Sequence, residues 1–293
     1  MYIIDYIYEN YAIVKSYHYG NNSNADLVVL CQHGFNGKEF SENFPDFFLP
    51  LNRYQPELAS KFLELEHDYG ATDLTFKIAD LLKEKLNLIV VTINCDRAIM
   101  DANRMEDYCI TPFIHKNLPK KTIDQIKTLN IFARDTVLSI LEKTFKPQGY
   151  IIDIHSMWPF NVNINYENIN DINQFISEFT SPKNKGTRRG INFITHNSKG
   201  ELIANKSLSV FVEQELSKKG YLVKYNEPFY MLPIRSNYIY FRKYKGLAID
   251  IPRNLLGKIN SSNSINFYKM KKNKNSITSI ANAIVLGILK LFD

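Results

Sequence analysis

Short apolar runs alternate along the chain with longer segments in which apolar residues recur at helical spacing. The short runs are rich in β-branched residues, as buried strands are, and the longer segments are typical of amphipathic helices. Strands are predicted at 26–34, 87–94, 149–156, 221–228 and 246–252. Helices are predicted at 71–86, 120–145, 200–220 and about 276–291. Because strands alternate with helices, the pattern favours parallel strands joined by right-handed crossovers.

This alternation predicts an α/β fold with a mixed, mainly parallel sheet flanked by helices. The 293 residues are enough to bury the core of one such domain. We expect a single domain over 1–293, because no repeat or long linker divides the sequence. The Asn-rich stretch 161–174 is the most polar region, and it is predicted to be a surface excursion.

Composition narrows the classes of partner. The net charge is +6, but the basic residues are dispersed, and the densest run at 269–274 is typical of solvated surface. No nucleic-acid-reading motif accompanies that run, so we expect no nucleic-acid partner. No run reaches the roughly 18 apolar residues of a membrane span, and residues 1–14 lack the regions of a signal peptide. Three cysteines without disulfide or zinc-ribbon spacing suit a reducing cytoplasm, where we expect the protein.

Polar and titratable residues stand at the carboxyl ends of the predicted strands, where α/β proteins build their sites. These ends are 31–34, 95–97, 153–156, 226–228 and 250–253. They carry His33 and His155, and two imidazoles with one carboxylate form a donor set for catalytic zinc that leaves one position for water. No HExxH motif or cysteine pair is present, so spacing alone leaves open whether these histidines bind metal or serve as hydrogen-bonded structural residues.

Six segments resemble, in the same order, the motifs of the N-formylglutamate amidohydrolase family. They are LCQHGFNG, HDYGAT, CDRAIMDANR, DIHSM, YNEPF and LAIDIPRNLL, and they span about residues 27 to 256. That family is similar in fold to the zinc carboxypeptidases, so the resemblance implies a zinc carboxypeptidase-like (phosphorylase/hydrolase-like) sheet that presents its ligands to one zinc ion per chain.

The resemblance implies a set of metal ligands. His33 and His155 would be the imidazole ligands, and Asp68 would be the carboxylate ligand, with Asp73 as the fallback. The carboxypeptidase pattern would place a Glu three residues after the first His, where this chain has Asn36, a poor zinc ligand.

Three neighbours of these ligands have open roles. His67 is adjacent to Asp68 and is an alternative metal ligand. The other possibility is that it lies at the surface or behind the ligands. Strand alternation places Asp153 and His155 on one face, and we expect Asp153 to orient His155 only if the strand end bends. Ser156 is expected to support the same site.

Substrate recognition is assigned by the same resemblance to Arg97, Asn103 and Arg104. A guanidinium offers a bidentate fork to a carboxylate, and an Asn adds a directional amide. Arg97 is also placed in catalysis, and Asp101 is expected to position an arginine. The alternative is an internal salt-bridge cluster.

A further basic pair, Arg188 and Arg189, precedes a strand in the family-like pattern. Arg189 is placed with the substrate-binding residues, and the alternative is that both side chains are solvated.

The catalytic base is predicted to be Asp250, which stands where the family-like pattern has a Glu, and Glu227 is the alternative. Gln32 stands where many relatives have an acid or Pro, and it either bonds a ligand or is a structural amide. Cys31 and Cys95 flank the site without a histidine partner pattern, so neither is predicted to be a nucleophile.

The predicted function is hydrolysis of the amide of a small N-acyl amino acid, such as N-formyl-L-glutamate, by metal-activated water. The alternatives are a small-peptide metallocarboxypeptidase and a non-catalytic carboxylate-binding relative. The oligomeric state is left open.

Overall fold

A computed structural model describes residues 1–20, 24–34, 37–53, 56–160, 166–181, 189–258 and 271–293. The strands are β1 (Tyr2–Tyr8), β2 (Tyr11–Tyr19), β3 (Ala25–Cys31), β4 (Leu88–Ile93), β5 (Phe145–Met157), β6 (Ile191–Ile194), β7 (Val223–Tyr225), β8 (Lys245–Pro252), β9 (Gly257–Lys258) and β10 (Lys271–Lys272). The helices are α1 (Gly37–Asn43), a 3-10 helix (Pro45–Phe48), α2 (Leu49–Asn52), α3 (Pro56–Glu66), α4 (Ala71–Leu82), α5 (Pro112–Asn117), α6 (Lys120–Thr144), α7 (Ile169–Thr180), α8 (Lys206–Lys218), α9 (Ser236–Lys243), α10 (Arg253–Leu256) and α11 (Lys274–Leu289).

One mixed sheet forms the centre of the fold. Its strand order is β1-β2-β4-β3-β5-β8-β6-β7, and a separate pair joins β9 to β10. The four central strands β4, β3, β5 and β8 run parallel, β2 and β6 flank them antiparallel, and β7 runs parallel to β6. This arrangement confirms the predicted α/β class with a mixed, mainly parallel sheet.

Both faces of the central strands are covered, which explains why their sequences are continuous apolar runs rather than alternating ones. Along β3, Val28 and Leu30 pack into one core, whereas Val29 and Cys31 pack into a second core across the sheet. Helices α4, α8 and α11 pack together on the second face. The carboxyl ends of the four parallel strands therefore lie at the same edge of the sheet, and the polar residues that end these strands lie close together there.

The N-terminal hairpin was not predicted. Strand β1 pairs antiparallel with β2, and β2 pairs antiparallel with β4, so residues 2–19 extend the sheet at one edge. The connecting turn places Glu9 at φ 53, a backbone conformation that the apolar pattern does not reveal.

The stretch predicted as a surface excursion, 161–174, contains the start of a helix that was not predicted, although most of its described residues are exposed. Residues 161–165 lie outside the described residues. Asn168 caps α7 through a capping box with Asp171, and Ile172 and Phe175 are buried. The asparagines therefore begin a helix instead of marking a loop.

The helix predicted at 200–220 begins at Lys206 in the structure. Asn205 caps α8 by accepting a hydrogen bond from Leu208 N at 2.9 Å, and Leu202 pairs with His196 in an isolated bridge. Local hydrogen bonds thus separate residues 200–205 from the helix that follows.

No helix among the described residues is long and apolar enough to cross a membrane. Residues 269 and 270 of the basic run lie outside the described residues, and Lys272 forms an ion pair with Asp73 at 2.7 Å.

Candidate metal centre and active site

Three buried side chains converge at the carboxyl end of the parallel strands. His33 follows β3, His155 lies near the end of the neighbouring strand β5, and Asp68 lies in the turn between α3 and α4. Oδ2 of Asp68 is 3.1 Å from His33 Nδ1 and 3.3 Å from His155 Nδ1. One ligand atom from each residue lies within 4.8 Å of the others, so the group could bind a metal ion.

Gly70 makes the close approach of this turn possible. Its φ is +79°, in the left-handed region, and a Cβ there would lie 2.7 Å from Leu256 Cβ. The glycine therefore brings Asp68 to the sheet and starts α4 directly behind it.

The outer nitrogen of each histidine contacts a separate carboxylate. His33 Nε2 is 2.9 Å from Asp101 Oδ1, and His155 Nε2 is 2.9 Å from Asp153 Oδ2. Because a carboxylate only accepts, each Nε2 carries a proton and donates it. Each Nδ1 faces the Asp68 oxygen, which also only accepts, so each Nδ1 either carries a proton or shares a cation with Asp68. Burial lowers the pKa of both rings, but the surrounding carboxylates outweigh burial and raise it above the usual value.

Asp68 is held as an anion by its contacts. Burial raises the pKa of its carboxyl group, but Arg97 and His33 outweigh burial and hold that pKa well below its usual range. Arg97 Nη1 donates to Asp68 Oδ1 at 2.8 Å, and Ser156 N donates to Oδ2 at 3.3 Å. One oxygen is thus neutralised by Arg97 while the other faces the histidines.

Arg253 supports the same carboxylate from beneath, a role that was not predicted. Its Nη2 is 3.8 Å from Asp68 Oδ1, and its Nη1 donates to Leu65 O at 2.5 Å. It also donates from Nε to Ser156 Oγ at 3.3 Å and lies 3.8 Å from the centre of the Trp158 ring. Burial lowers the pKa of Arg253 to about 10. Its place at the end of β8 was the only signal in the sequence.

Asp153 reaches His155 from within the same strand, because side chains two residues apart lie on one face. Strand β5 continues to Met157, so the bend that we expected for this contact is not needed. Asp153 Oδ2 also accepts from Gln32 Nε2 at 2.8 Å and from Asn237 Nδ2 at 3.1 Å. Gln32 therefore acts as a structural amide.

Asp250 lies beside His155. The two residues pair in register on β8 and β5, and Asp250 is 6% exposed. Burial raises the pKa of its carboxyl group above the usual value, although His155 and Arg235 oppose that rise. Glu227 is exposed, forms an ion pair with Lys224 at 3.6 Å, and follows β7, which runs against the direction of β8. Of the two candidate bases, Asp250 is therefore the one that lies beside His155.

The predicted substrate-binding residues gather around Asp101. Arg97 Nε is 3.7 Å and Arg104 Nε is 3.1 Å from Asp101 Oδ2. Asn103 Nδ2 is 3.5 Å from His155 Nε2. In this structure Arg97 and Arg104 take part in the internal salt-bridge cluster that was the alternative reading.

Arg189 lies at the other side of the site. Its Nη1 donates to Trp158 O at 3.4 Å and lies 3.9 Å from Met157 Sδ. Arg189 is half-buried rather than solvated, whereas Arg188 lies outside the described residues.

The alternative metal ligands, Asp73 and His67, are not part of the group formed by His33, Asp68 and His155. Asp73 binds Lys272, and the group of metal-ligating atoms found among the described residues does not include His67. Burial, reinforced by Arg253, lowers the pKa of His67 to about 3, so its ring is neutral. Asn36 lies outside the described residues.

The flanking cysteines are unreactive. Burial raises the pKa of the Cys31 thiol to about 12, and it raises that of Cys95 well above the usual value. Neither thiol is ionised at neutral pH, in line with the prediction that neither is a nucleophile.

The structure brings in Arg235 and Asn237, which the sequence did not single out. Both lie at the start of α9, and Arg235 faces Arg104 across an isolated antiparallel bridge. Their segment has no strand end or motif that would have marked it.

Comparison with known proteins supports the fold. No protein-family profile matches the chain, and a search of curated proteins finds no match. Solved structures with this fold include a gene product of Agrobacterium tumefaciens (Atu2144), with a TM-score of 0.58 and 14% identity over 92% of this chain and 91% of that one. An N-formylglutamate amidohydrolase from Ralstonia eutropha JMP134 has a TM-score of 0.57 and 14% identity over 94% of this chain and 96% of that one.

At this identity, the likeness establishes an amidohydrolase-like fold, in agreement with the fold that the motifs predicted. It assigns neither metal nor substrate to this chain.

Proposed function

We propose that this chain is a zinc-dependent amidohydrolase that cleaves the amide of a small N-acyl amino acid, N-formyl-L-glutamate being the reference substrate. The observation that carries the proposal is the convergence of His33, Asp68 and His155, with the far nitrogen of each histidine bonded to its own carboxylate. The amidohydrolase-like fold supports it.

The donor set fits zinc. Two imidazole nitrogens and one carboxylate oxygen are the protein ligands of many catalytic zinc sites. Asp101 and Asp153 each contact an outer nitrogen, so a bound metal ion would take the Nδ1 lone pairs on the side of Asp68. When bound, zinc would supply a Lewis acid that polarises a carbonyl and makes water more acidic.

Asp250 is the proposed base. Its carboxylate accepts a proton from the attacking water and returns it to the leaving nitrogen. Its burial beside His155 raises the pKa of the group, which brings the acid closer to the range in which such transfers are efficient. The side chain is one methylene shorter than Glu, so its position at the end of β8 must bring it to the reacting atoms.

The basic side chains are proposed to orient an anionic substrate. Arg97 lies against Asp68, and its side chain is 26% exposed, so it is proposed to reach the carbonyl oxygen of the substrate as well. Asn103 and Arg104 lie on the same segment, and Arg189 lies across the site. Their positive charge favours substrates that carry a carboxylate.

The proposal is tested with zinc content and product analysis on one set of proteins. We expect about one zinc per chain in the wild type and formate release from N-formyl-L-glutamate. His155→Ala should lose both, whereas His115→Ala, on the exposed face of α5, should keep both. Release of a C-terminal amino acid from a dipeptide, without formate release, would assign the carboxypeptidase activity instead. A wild type that binds no zinc would overturn the metal mechanism.

A further inference from the structure

Arg235 differs from the other arginines around the site in having no partner for its charge. Arg97 binds Asp68, Arg104 binds Asp101, and Arg253 binds the Leu65 carbonyl. Among the described residues, the Arg235 guanidinium forms no ion pair and no hydrogen bond, and its recorded side-chain contact is the Phe229 ring at 5.5 Å.

The backbone holds Arg235 opposite Arg104. The two residues form an antiparallel bridge, and Met105 N donates to Ile234 O at 2.7 Å beside it. On the other side, Ser236 N donates to Asn103 O at 3.1 Å. Residues directly opposite in such a bridge project to the same side, with Cβ atoms about 5 Å apart.

Two guanidinium groups on one side of a bridge repel each other unless an anion lies between them. Asp101 binds Arg104 through Nε at 3.1 Å, whereas no carboxylate of the described residues lies within ion-pair distance of Arg235. Arg235 is also close to the reaction centre: burial lowers the pKa of Arg235, while Asp250 and Asp101 oppose that effect. The side chain is thus near two carboxylates without binding either.

We propose that Arg235, paired with Arg104, binds a carboxylate of the substrate and determines specificity for carboxylate-bearing amides. The inference rests on the proposed function for the identity of the substrate, and it adds a residue that no motif marked. A guanidinium fork takes both oxygens of a carboxylate, so one anion can satisfy Arg235 and neutralise the repulsion from Arg104.

The test measures binding separately from hydrolysis. Trp158 is the single tryptophan and lies against Arg253 beneath the site, so its fluorescence can follow titration of the zinc-supplied protein with glutarate, a dicarboxylate with no amide to cleave. R235Q should weaken glutarate binding by about 100-fold. R235K, which keeps the charge but loses the fork, should weaken it by about tenfold.

The matched control is R242Q. Arg242 lies on the same helix, α9, and forms an exposed ion pair with Glu201 at 3.1 Å, so its loss should change the affinity for glutarate by less than about twofold. If circular dichroism shows that R235Q does not fold, the affinities of R235K and R242Q for glutarate are compared instead. Equal affinity in wild type and R235Q, equal weakening in R242Q, or no glutarate binding by the wild type would each overturn the inference.

Hydrolysis of N-formyl-L-glutamate then separates the two proposals. R235Q should raise KM about 100-fold and leave kcat within about tenfold, because it removes binding shared by ground and transition states. If no N-acyl amino acid is hydrolysed but glutarate binding still depends on Arg235, the hydrolase proposal fails and the carboxylate site stands. If hydrolysis occurs and R235Q leaves KM unchanged, the hydrolase proposal stands and the carboxylate site at Arg235 fails.

Discussion

Asp68 and Asp250 are two buried aspartates at the same edge of the sheet, 1% and 6% exposed, with opposite shifts in pKa. Arg97 and His33 overcome the effect of burial at Asp68 and hold its pKa well below the usual range. At Asp250 burial prevails over His155 and Arg235, and the pKa is raised.

Both acids are buried, so the difference shows that a direct ion pair can reverse the rise in pKa that burial causes. Asp68 has a guanidinium at 2.8 Å on one oxygen, whereas no ion pair to Asp250 is found within the described part of the chain. A permanent anion suits the retention of a cation, and an acid with a raised pKa suits proton exchange. The two aspartates are thereby suited to different tasks.

Removal of the Asp68 charge should have the largest effect. Asp68→Asn should reduce zinc from about one per chain to near zero, measured by elemental analysis. It also removes the buried charge that Arg97 Nη1 binds and that Arg253 Nη2 faces, so we expect a loss of about 3–5 kcal/mol in the free energy of unfolding. Asp73→Asn is the control, because its ion pair with Lys272 is at the surface. Metal loss in Asp73→Asn instead would identify Asp73 as the ligand.

Removal of the Asp250 carboxylate should leave the metal in place. Asp250→Asn should lower kcat by about 10²–10⁴-fold, because the amide cannot accept the proton, with unchanged zinc content. Glu227→Gln should leave kcat unaltered, since Glu227 is exposed and bonded to Lys224. A loss of rate in Glu227→Gln and not in Asp250→Asn would reverse the assignment of the base.

Asp96 extends the comparison to stability. Burial raises the pKa of this carboxyl group to about 7, although Ala98 N donates to it at 3.0 Å. A folded pKa above the unfolded value favours the folded state at low pH, and this contribution is lost as pH rises from about 4 through about 7, by up to about 4 kcal/mol.

Asp96→Asn should remove that loss. In urea unfolding at pH 8 the variant should be more stable than wild type by up to about 4 kcal/mol, and the gap should shrink at pH 5. An identical gap at both pH values would show that Asp96 does not titrate in this range.

The smallest effect concerns the position of the acid limb of the rate profile. A base with a raised pKa gives a rate that falls as pH drops through that pKa, so the wild-type limb should lie above the range of an ordinary aspartate. Arg235 lowers the pKa of Asp250, as do His155 and Arg97, whereas Asp68 raises it. Arg235→Gln should therefore move the limb to higher pH, seen in the pH dependence of kcat. A limb that stays in place would separate Arg235 from Asp250.

Much of the fold was predictable because each central strand is a short apolar run. Strand β4 was predicted at 87–94 and found at Leu88–Ile93, and α6 was predicted at 120–145 and found at Lys120–Thr144. Strand β1 was missed because it lies at the edge of the sheet, with Ile3 and Ile7 exposed. Strand β2 is largely buried, but Lys15, Ser16 and His18 interrupt its apolar run. Capping asparagines begin α7, which was not predicted, and place the start of α8 at Lys206 instead of residue 200.

The sequence by itself determined which polar side chains lie at the carboxyl edge of the sheet. His33 follows β3 and His155 lies near the end of β5, two strands whose ends parallel pairing brings to one edge, and Asp68 belongs to a motif with the turn glycine Gly70. Local patterns of this kind are readable because the strand and the residue that follows it are contiguous in the chain.

Only the tertiary structure decided how the groups act on one another. Asn237 reaches Asp153 across 84 positions, and Arg253 reaches the Leu65 carbonyl across 188. The hydrogen-bond partners of the histidines, the opposite pKa shifts of Asp68 and Asp250, and the lack of an ion pair for Arg235 within the described residues all follow from such distant contacts. The physical reason is that a charge in a buried site responds to every group within a few ångströms, and those neighbours are chosen by packing rather than by order in the chain.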